Sequence, residues 1–253
     1  QCELLALLAG NDVVICADAD SAIGRFRGAD PDGLAAALDP YRTKEVVLNN
    51  VYRNAPAIFD VVERVLAREV GPAVADSLVA HGVNAVALSG RTAGTLVAQP
   101  LTSLVDGTAA DLGLVGVVTS VNIDAILELL ASKKVPVISP IASDASGTQG
   151  FNVNADLAAA AIAGALDAQW LIIMTDVEGI YRNWPDKSSL ISTISATELE
   201  ALKATFAEGM APKVQACLDA IAAGAKAVRI IDGTNPSALK SALMGEGGTL
   251  VVA

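Results

Sequence analysis

Short β-prone runs alternate with longer helical stretches along the chain, and this alternation constrains the fold more than any other feature. The predicted strands, rich in Val, Ile and Leu, are residues 13–16, 85–89, 135–138, 171–175, 227–231 and 250–252. The predicted helices cover residues 55–70, 71–81, 124–132, 155–168, 196–205, 213–223 and 236–244. Strands that alternate with helices over short connections predict an α/β fold, with a mostly parallel sheet covered on both faces.

Residues 102–122 interrupt this alternation. Asp106 and Gly107 lie between β-prone residues and predict a hairpin turn, and a second β ribbon is predicted at 112–119. A small antiparallel insertion on the parallel core follows from these two signals. The chain is otherwise interpreted as a single domain of two lobes, 1–145 and 146–253, that join near the Ser/Asp/Gly-rich loop 143–150.

Composition excludes several classes of function. The net charge is −11, which argues against nucleic acid and anionic membranes as partners, because both attract basic surfaces. No apolar run is long enough to span a bilayer. Three scattered cysteines and one histidine do not predict a metal site and favour a reducing compartment. We therefore expect a cytoplasmic protein without a signal peptide.

The segment 151–156, which reads FNVNAD, precedes an Ala-rich helix and carries the first candidate site. Asn152, Asn154 and Asp156 are spaced two residues apart, so their side chains can share one face of a strand. Polar groups at the carboxyl ends of strands line the crevice where open α/β sheets bind ligands. Asn and Asp are also preferred helix caps, so a purely structural interpretation stays open.

Two further segments carry candidate polar groups. Residues 175–181, TDVEGIY, directly follow a predicted buried strand, and this pattern fits either a ligand-binding turn or an ordinary βα turn. Residues 208–213, EGMAPK, place Lys213 at a helix N-terminus, where the macrodipole disfavours a cation by ~0.3–1 kcal/mol. A lysine kept there indicates a phosphate site, with a solvated lysine as the alternative. The phosphate-loop and dinucleotide motifs, GxxxxGK[ST] and GxGxxG, are both absent from the sequence.

Together these motifs resemble the N-acetylglutamate kinases of the amino acid kinase family, in their actinobacterial form. The matching segments, in order, are ADLGLVG at 110–116, PVIS at 136–139, NVNAD at 152–156, TDVEG at 175–179, WPD at 184–186, GM at 209–210, PK at 212–213 and GT at 248–249. The likeness extends from about Val51 to the end of the chain. It implies a three-layer αβα sandwich and a homodimer or higher homo-oligomer. It also implies ATP- and Mg²⁺-dependent phosphorylation of the side-chain carboxylate of N-acetyl-L-glutamate, a step of arginine biosynthesis.

The resemblance also implies roles for individual residues. In the catalytic group, Lys213 would stabilise the transferring phosphoryl group, and Asp156 would organise the catalytic lysines. The substrate-binding residues would be Asn152, Asn154 and Arg53. The nucleotide-binding residues would be Thr175, Asp176, Val177, Gly179 and Met210. The first lobe would bind the acceptor and mediate dimerisation, and the second would bind the nucleotide.

The sequence departs from the family pattern near its beginning. The family carries K-x-G-G and then H-G-G-G at the ends of its first strands, whereas the strand at 13–15 here continues into CADAD at 16–20. Asp18 and Asp20 would repel ATP unless a Mg²⁺ ion bridges them, and two ordinary acidic loop residues are the alternative. Likewise, the family's S-G-E/D-x-G stretch is replaced at 89–94 by SGRTAG.

These departures leave three hypotheses. The first is a working acetylglutamate kinase. The second is a non-catalytic paralogue that binds nucleotide or ligand as a regulatory or structural subunit, and the third is a kinase for another N-modified amino acid.

Overall fold

The computed structural model describes residues 15–16, 56–103, 109, 111–206 and 210–253. The predictions for Arg53, for Asp18 and Asp20, and for the Asp106-Gly107 turn lie outside these ranges. The chain divides into two compact units, which separate between Ala158 and Ala159. The predicted junction at 143–150 falls within the first unit, and the assignment of lobes 1–145 and 146–253 stays a prediction.

The first unit contains short strands around buried aliphatic side chains. Its strands are β1 (Ile15–Cys16), β2 (Ala85–Ser89), β3 (Leu96–Pro100), β4 (Val115–Val121), β5 (Val135–Ser139), β6 (Ile141–Ser143) and β7 (Gly150–Val153). Its helices are α1 (Pro56–Val65), which continues as a π-helical turn at Leu66–Val70, then α2 (Gly71–Ala80) and α3 (Asp124–Ala131). The next helix, α4 (Ala155–Ala165), begins in the first unit and ends in the second.

A parallel sheet of order β1-β5-β2 forms the core of the first unit. Val137 and Ile138 of the central strand β5 are completely buried, as expected for a parallel strand covered on both faces. Leu78 of α2 and Ile126 of α3 are also completely buried, and both helices pack on β5. The alternation of apolar strands and helices in the sequence therefore predicted this part of the core.

Strands β3, β4, β7 and β6 close into a small barrel. The pairs β3–β4 and β6–β7 are antiparallel, whereas β4–β7 and β3–β6 are parallel. The predicted antiparallel ribbon is confirmed as β4, although it pairs with β3, which was not predicted. The predicted insertion is not purely antiparallel, however, because the other edge of β4 pairs in parallel with β7.

The second unit is a mixed four-stranded sheet with helices. Its strands are β8 (Leu171–Thr175), β9 (Thr193–Ser195), β10 (Ala227–Asp232) and β11 (Thr249–Val252). They lie in the order β8-β10-β11-β9, and only the β10–β11 pair is antiparallel. The remaining helices are α5 (Ala196–Leu202), α6 (Ala211–Ala222) and α7 (Pro236–Leu243). Helices and parallel strand pairs in both units confirm the predicted α/β class.

Local sequence signals explain where the helices of the second unit begin. Ser195 and Glu198 form a reciprocal capping box at the start of α5. The Asn235 side chain accepts a hydrogen bond from the Ser237 N–H, and a proline follows in the first turn of α7. Across the described ranges, no helix combines the length and the apolar character needed to cross a bilayer.

Candidate functional site

Asn154 caps helix α4. Its side-chain oxygen accepts a hydrogen bond from the Leu157 N–H at 3.1 Å, and its carbonyl accepts one from the Ala158 N–H at 2.9 Å. This is the geometry of an N-cap residue, so the structure favours the capping interpretation for Asn154. Its predicted role in substrate binding stays a prediction. We call residues 151–156 the β7–α4 junction.

Asn152 has a different environment within the same junction. It lies in β7 between the buried residues Phe151 and Val153, and only 9% of its surface is exposed. Its backbone N–H donates to the Leu114 carbonyl at 2.8 Å. Within the described ranges, no hydrogen bond to its side-chain amide is formed. Its amide atoms are not among the fully buried, unpartnered side-chain atoms of these ranges, so they keep access to solvent, and the substrate-binding role of Asn152 stays a prediction.

Asp156 lies in the first turn of α4 and is partly buried. A carboxylate there interacts favourably with the positive end of the helix dipole. The three residues do not lie on one face of a single strand, as their spacing predicted, because β7 ends at Val153 and Asp156 lies in α4. The Asn154 side chain is instead turned onto the helix backbone.

Arg91 anchors the loop that leads into β7. Its Nη1 donates to both carboxylate oxygens of Glu63, at 3.0 and 2.9 Å. Its Nε donates to the Ser143 hydroxyl at 3.2 Å, and its Nη2 donates to the Thr148 carbonyl at 3.3 Å. In the sequence, Arg91 stands out only as a departure from a family motif, and no local signal pairs it with a residue 28 positions earlier.

The loop anchored by Arg91 is also closed from within. The Asp144 carboxylate accepts hydrogen bonds from the Ser146 hydroxyl at 2.7 Å and from the N–H groups of Thr148 and Gln149 at 2.9 and 3.1 Å. The Ser146 hydrogen bond in particular lowers the pKa of Asp144. The backbone that enters β7 is therefore held from two sides.

The carboxyl ends of β8 and β10 are adjacent and polar. Thr175 is in register with Asp232, and its carbonyl accepts a hydrogen bond from the Gly233 N–H at 2.8 Å. The Thr175 hydroxyl donates to Asp176 at 3.2 Å. The Asp232 carboxylate accepts from the Thr234 N–H at 2.8 Å and its hydroxyl at 2.6 Å, and this hydroxyl contact lowers the pKa of Asp232. The structure therefore places a polar turn where the sequence predicted one.

We call residues 175–179 the β8 turn; Val177 and Gly179 lie within it. Val177 is partly buried, whereas Gly179 packs tightly against β11. A Cβ atom on Gly179 would lie 2.5 Å from the Thr249 hydroxyl oxygen. Gly179 is thus required by the packing of this turn, whatever ligand the turn binds.

An aromatic pair lies beside the β8 turn. The Tyr181 hydroxyl donates to Glu178 at 2.7 Å, and burial, followed by this carboxylate, raises the pKa of Tyr181 to about 12. Trp184 contacts the Tyr181 ring edge to face at 5.2 Å between centroids, yet it is 59% exposed. The polar turn therefore has an accessible aromatic ring close by in the same unit.

Lys213 lies in the first turn of α6, which confirms the predicted placement at a helix N-terminus. Met210 occupies the N-cap position, and its carbonyl accepts a hydrogen bond from the Val214 N–H at 3.0 Å. Both side chains are partly buried. Lys213, Met210 and the β8 turn belong to the second unit, whereas Asn152 and Asp156 belong to the first.

The sequence is similar to known proteins over most of its length. The profile of the amino acid kinase family matches residues 6–232. An acetylglutamate kinase of Nocardia farcinica is 47% identical over 198 residues, which are 78% of this chain and 65% of the relative. One from Saccharopolyspora erythraea is 48% identical over 178 residues, or 70% of this chain and 58% of the relative. The chain thus spans less than two thirds of the length of these relatives.

A solved structure shows the same fold. The N-acetylglutamate synthase from Neisseria gonorrhoeae, complexed with coenzyme A and N-acetyl-glutamate, superposes with a TM-score of 0.77 at 23% identity. The superposition covers 100% of this chain and 55% of the synthase chain. With a family profile matched over nearly its whole length, this chain belongs to the amino acid kinase family.

Proposed function

We propose that the protein transfers the γ-phosphoryl group of ATP to the side-chain carboxylate of N-acetyl-L-glutamate. The observation that carries the proposal is Lys213 in the first turn of α6, in the same unit as the polar β8 turn. A helix N-terminus already attracts phosphate, and a lysine there adds a full positive charge. The two relatives that are 47% and 48% identical are acetylglutamate kinases, which supports the same reaction.

The nucleotide would bind at the carboxyl ends of β8 and β10. Thr175, Asp176, Val177, Gly179 and Met210 are the residues proposed to contact it. Ligands of open α/β sheets bind at this end of the strands, which supports the assignment.

The acceptor would bind at the β7–α4 junction. Asn152 supports this assignment, because its largely buried side chain keeps an amide with access to solvent, and an amide can hydrogen-bond to the amide and carboxylate groups of an N-acylated amino acid. The roles of Arg53 and Asn154 in holding the acceptor stay predictions from the family resemblance.

The proposed chemistry needs no general base, because the attacking carboxylate is already ionised. One of its oxygens forms a bond to the γ-phosphorus while the bond to the bridging oxygen of ADP breaks, which gives an acyl phosphate. Lys213 would offset the negative charge on the transferring group. The family resemblance further assigns to Asp156 the role of organising the catalytic lysines.

Mg²⁺ is proposed to enter with the nucleotide. The described part of the chain contains no group of three or more His, Cys, Asp or Glu side chains that could hold a metal ion. Mg²⁺ commonly keeps several waters and binds through substrate phosphates with one or two carboxylates. The ion would neutralise phosphate charge during transfer.

A second candidate is a non-catalytic paralogue that binds nucleotide or acetylglutamate. The observation in its favour is CADAD at 16–20, where the family has a glycine-rich H-G-G-G turn. Side chains and two carboxylates there oppose the close approach of a phosphate to backbone N–H groups. This candidate predicts binding without turnover, whereas a kinase for another N-modified amino acid predicts turnover with a different acceptor only.

The oligomeric state and the cellular compartment are proposed together with the function. A homodimer or higher homo-oligomer follows from the family resemblance. A reducing cytoplasm is proposed because the three cysteines of the sequence are far apart and form no C-x-x-C motif.

The test is acyl-phosphate formation from Mg-ATP and N-acetyl-L-glutamate, trapped with hydroxylamine. Turnover is expected, and Lys213→Ala should lower kcat by roughly 10²–10³-fold, as for the loss of one preorganised charge-stabilising group. The matched control is Lys240→Ala, since Lys240 is an exposed lysine in the last turn of α7. A folded protein that binds ATP but forms no hydroxamate would favour the non-catalytic candidate.

A further inference from the structure

We propose that the Thr249 hydroxyl positions the β8 turn for nucleotide binding. This inference rests on the proposed nucleotide site and adds a residue to it that lies 69 positions after Ile180, the residue that follows the turn. Thr249 would not touch the reacting atoms, so it is a positioning residue. Its contribution would be to hold the backbone that follows β8 in the binding geometry.

The geometry at Thr249 supports the proposal. Its hydroxyl oxygen accepts a hydrogen bond from the Ile180 N–H at 2.8 Å and donates one to the Ile191 carbonyl at 2.6 Å. Thr249 and Ile180 are both completely buried. The Ile191 N–H also donates to the Ile180 carbonyl at 2.8 Å. The Thr249 hydroxyl thus links the first and last parts of the segment that connects β8 to β9.

The β8 turn lies directly against this hydroxyl. Gly179 leaves so little space that a Cβ atom there would lie 2.5 Å from the Thr249 oxygen and 3.0 Å from the Thr249 nitrogen. Since Gly179 and Ile180 are both held, residues 175–178 have a fixed end at each side: β8 before them and Thr249 after them. A displaced hydroxyl would therefore displace the turn.

Thr249 is itself held in place by its own segment. Gly248 has φ +65°, and a Cβ atom on it would lie 2.2 Å from the Ile230 carbonyl oxygen. The buried Arg229 guanidinium donates to the carbonyls of Gly245 and Gly247 at 3.1 and 2.5 Å. These contacts fix the backbone that leads into β11, the strand that carries Thr249. The strand is therefore a rigid support for the turn.

A purely structural role would lower stability without a specific effect on nucleotide affinity, and three variants separate the two roles. Thr249→Val keeps the shape but leaves the Ile180 N–H and the Ile191 carbonyl without partners. Thr249→Ser keeps the hydroxyl. The matched control is Thr95→Val, because Thr95 is also completely buried and its hydroxyl donates to the Thr92 carbonyl at 2.7 Å, but it belongs to the first unit.

The measurements are the Kd for ATP by calorimetry and the exchange of the Ile180 amide proton by NMR. We expect Thr249→Val to weaken ATP binding about tenfold and to lose protection at Ile180, on the scale of one lost buried hydrogen bond. Thr249→Ser and Thr95→Val should bind ATP within about twofold of the wild type. If the valine variant does not fold, Thr249→Ser is compared with Thr249→Ala, because these two differ by the hydroxyl alone.

Unchanged ATP affinity in a Thr249→Val variant that has lost protection at Ile180 would overturn this inference alone. So would an equal loss of ATP affinity in Thr249→Val and Thr95→Val, or in Thr249→Ser and Thr249→Ala. Absence of ATP binding by the wild-type protein would instead overturn the proposed nucleotide site together with this inference.

Discussion

The β8 turn in the second unit and the β7–α4 junction in the first unit both present polar groups where a strand ends, but they use those groups differently. In the β8 turn, Thr175 bonds to Asp176, and the neighbouring Asp232 bonds to Thr234. In the junction, Asn152 lies buried with no side-chain partner in the described ranges. The comparison teaches that the polar groups of the β8 turn are occupied by contacts with its own neighbours, whereas the Asn152 side chain is left without a contact of this kind.

The largest change in stability is expected for substitution of Gly248, because this residue fixes the backbone of the segment that supports the β8 turn. We expect Gly248→Ala to lower the free energy of unfolding by about 3 kcal/mol, since a left-handed backbone and a severe contact with the Ile230 carbonyl add together. Chemical denaturation measures this change. Gly245→Ala is the control, because Gly245 also has positive φ (+86°) but no atom within 4 Å of the added Cβ, and it should lose only about 1 kcal/mol.

If Gly248→Ala and Gly245→Ala lowered the free energy of unfolding equally, the close contact at Gly248 would not be what fixes the backbone that leads into β11. In that case the rigidity ascribed to the β8 turn would have to come from elsewhere in the second unit.

Substitution of Asn152 tests the β7–α4 junction. We expect Asn152→Ala to weaken binding of N-acetyl-L-glutamate roughly 10- to 100-fold and to leave the Kd for ATP unchanged, because a ligand group would lose its buried partner. Calorimetric titration of both ligands measures the two affinities.

Asn154→Ala is the matched variant within the same junction. Loss of the N-cap should lower the free energy of unfolding by about 1 kcal/mol with little change in acceptor affinity. Equal losses of acceptor affinity in the two variants would instead establish Asn154 as a substrate-binding residue, as the family resemblance predicted.

Arg91 tests how firmly the approach to the junction is held. We expect Arg91→Leu to lower the free energy of unfolding by about 1–2 kcal/mol, because it leaves the partly buried Glu63 carboxylate and the Ser143 hydroxyl without their partner. Thermal denaturation measures the change. Arg68→Leu, at an exposed arginine, should be nearly neutral. Indistinguishable melting temperatures for the two variants would show that the Arg91 contacts do not stabilise the first unit.

The smallest expected effect concerns pH. The Thr234 hydroxyl lowers the pKa of Asp232, so this contact stabilises the fold above the unfolded pKa and the gain is lost as pH falls through the folded pKa. Thr234→Val should raise the pKa of Asp232 and lower stability slightly at neutral pH, with the difference from the wild type disappearing in acid. A carboxyl NMR titration measures the pKa, and an unshifted Asp232 in the variant would refute the assignment.

Local patterns were enough for much of the fold. The strands at Ala85–Ser89 and Leu171–Thr175 have the predicted bounds, and α2 and α3 each end one residue before the predicted position. Helix–strand alternation and capping residues act over a few neighbouring positions, which is why one sequence reveals them. Strands such as Ile141–Ser143 and Thr193–Ser195 were missed because three residues carry no periodicity. Thr193–Ser195 pairs with the remote strand β11, and Ser143 pairs with Val97 of β3.

The candidate site divides in the same way. Residue types and spacing alone determined that Asn152, Asp156 and Lys213 lie at a strand end or in a first helical turn. The spacing left open whether Asn154 caps a helix, and the structure shows that it does. Only the tertiary structure decided that Thr249 accepts a hydrogen bond from Ile180, which lies 69 residues before it. The physical reason is that a hydrogen bond depends on where folding brings its donor and acceptor, and no local pattern encodes a partner so distant in the chain.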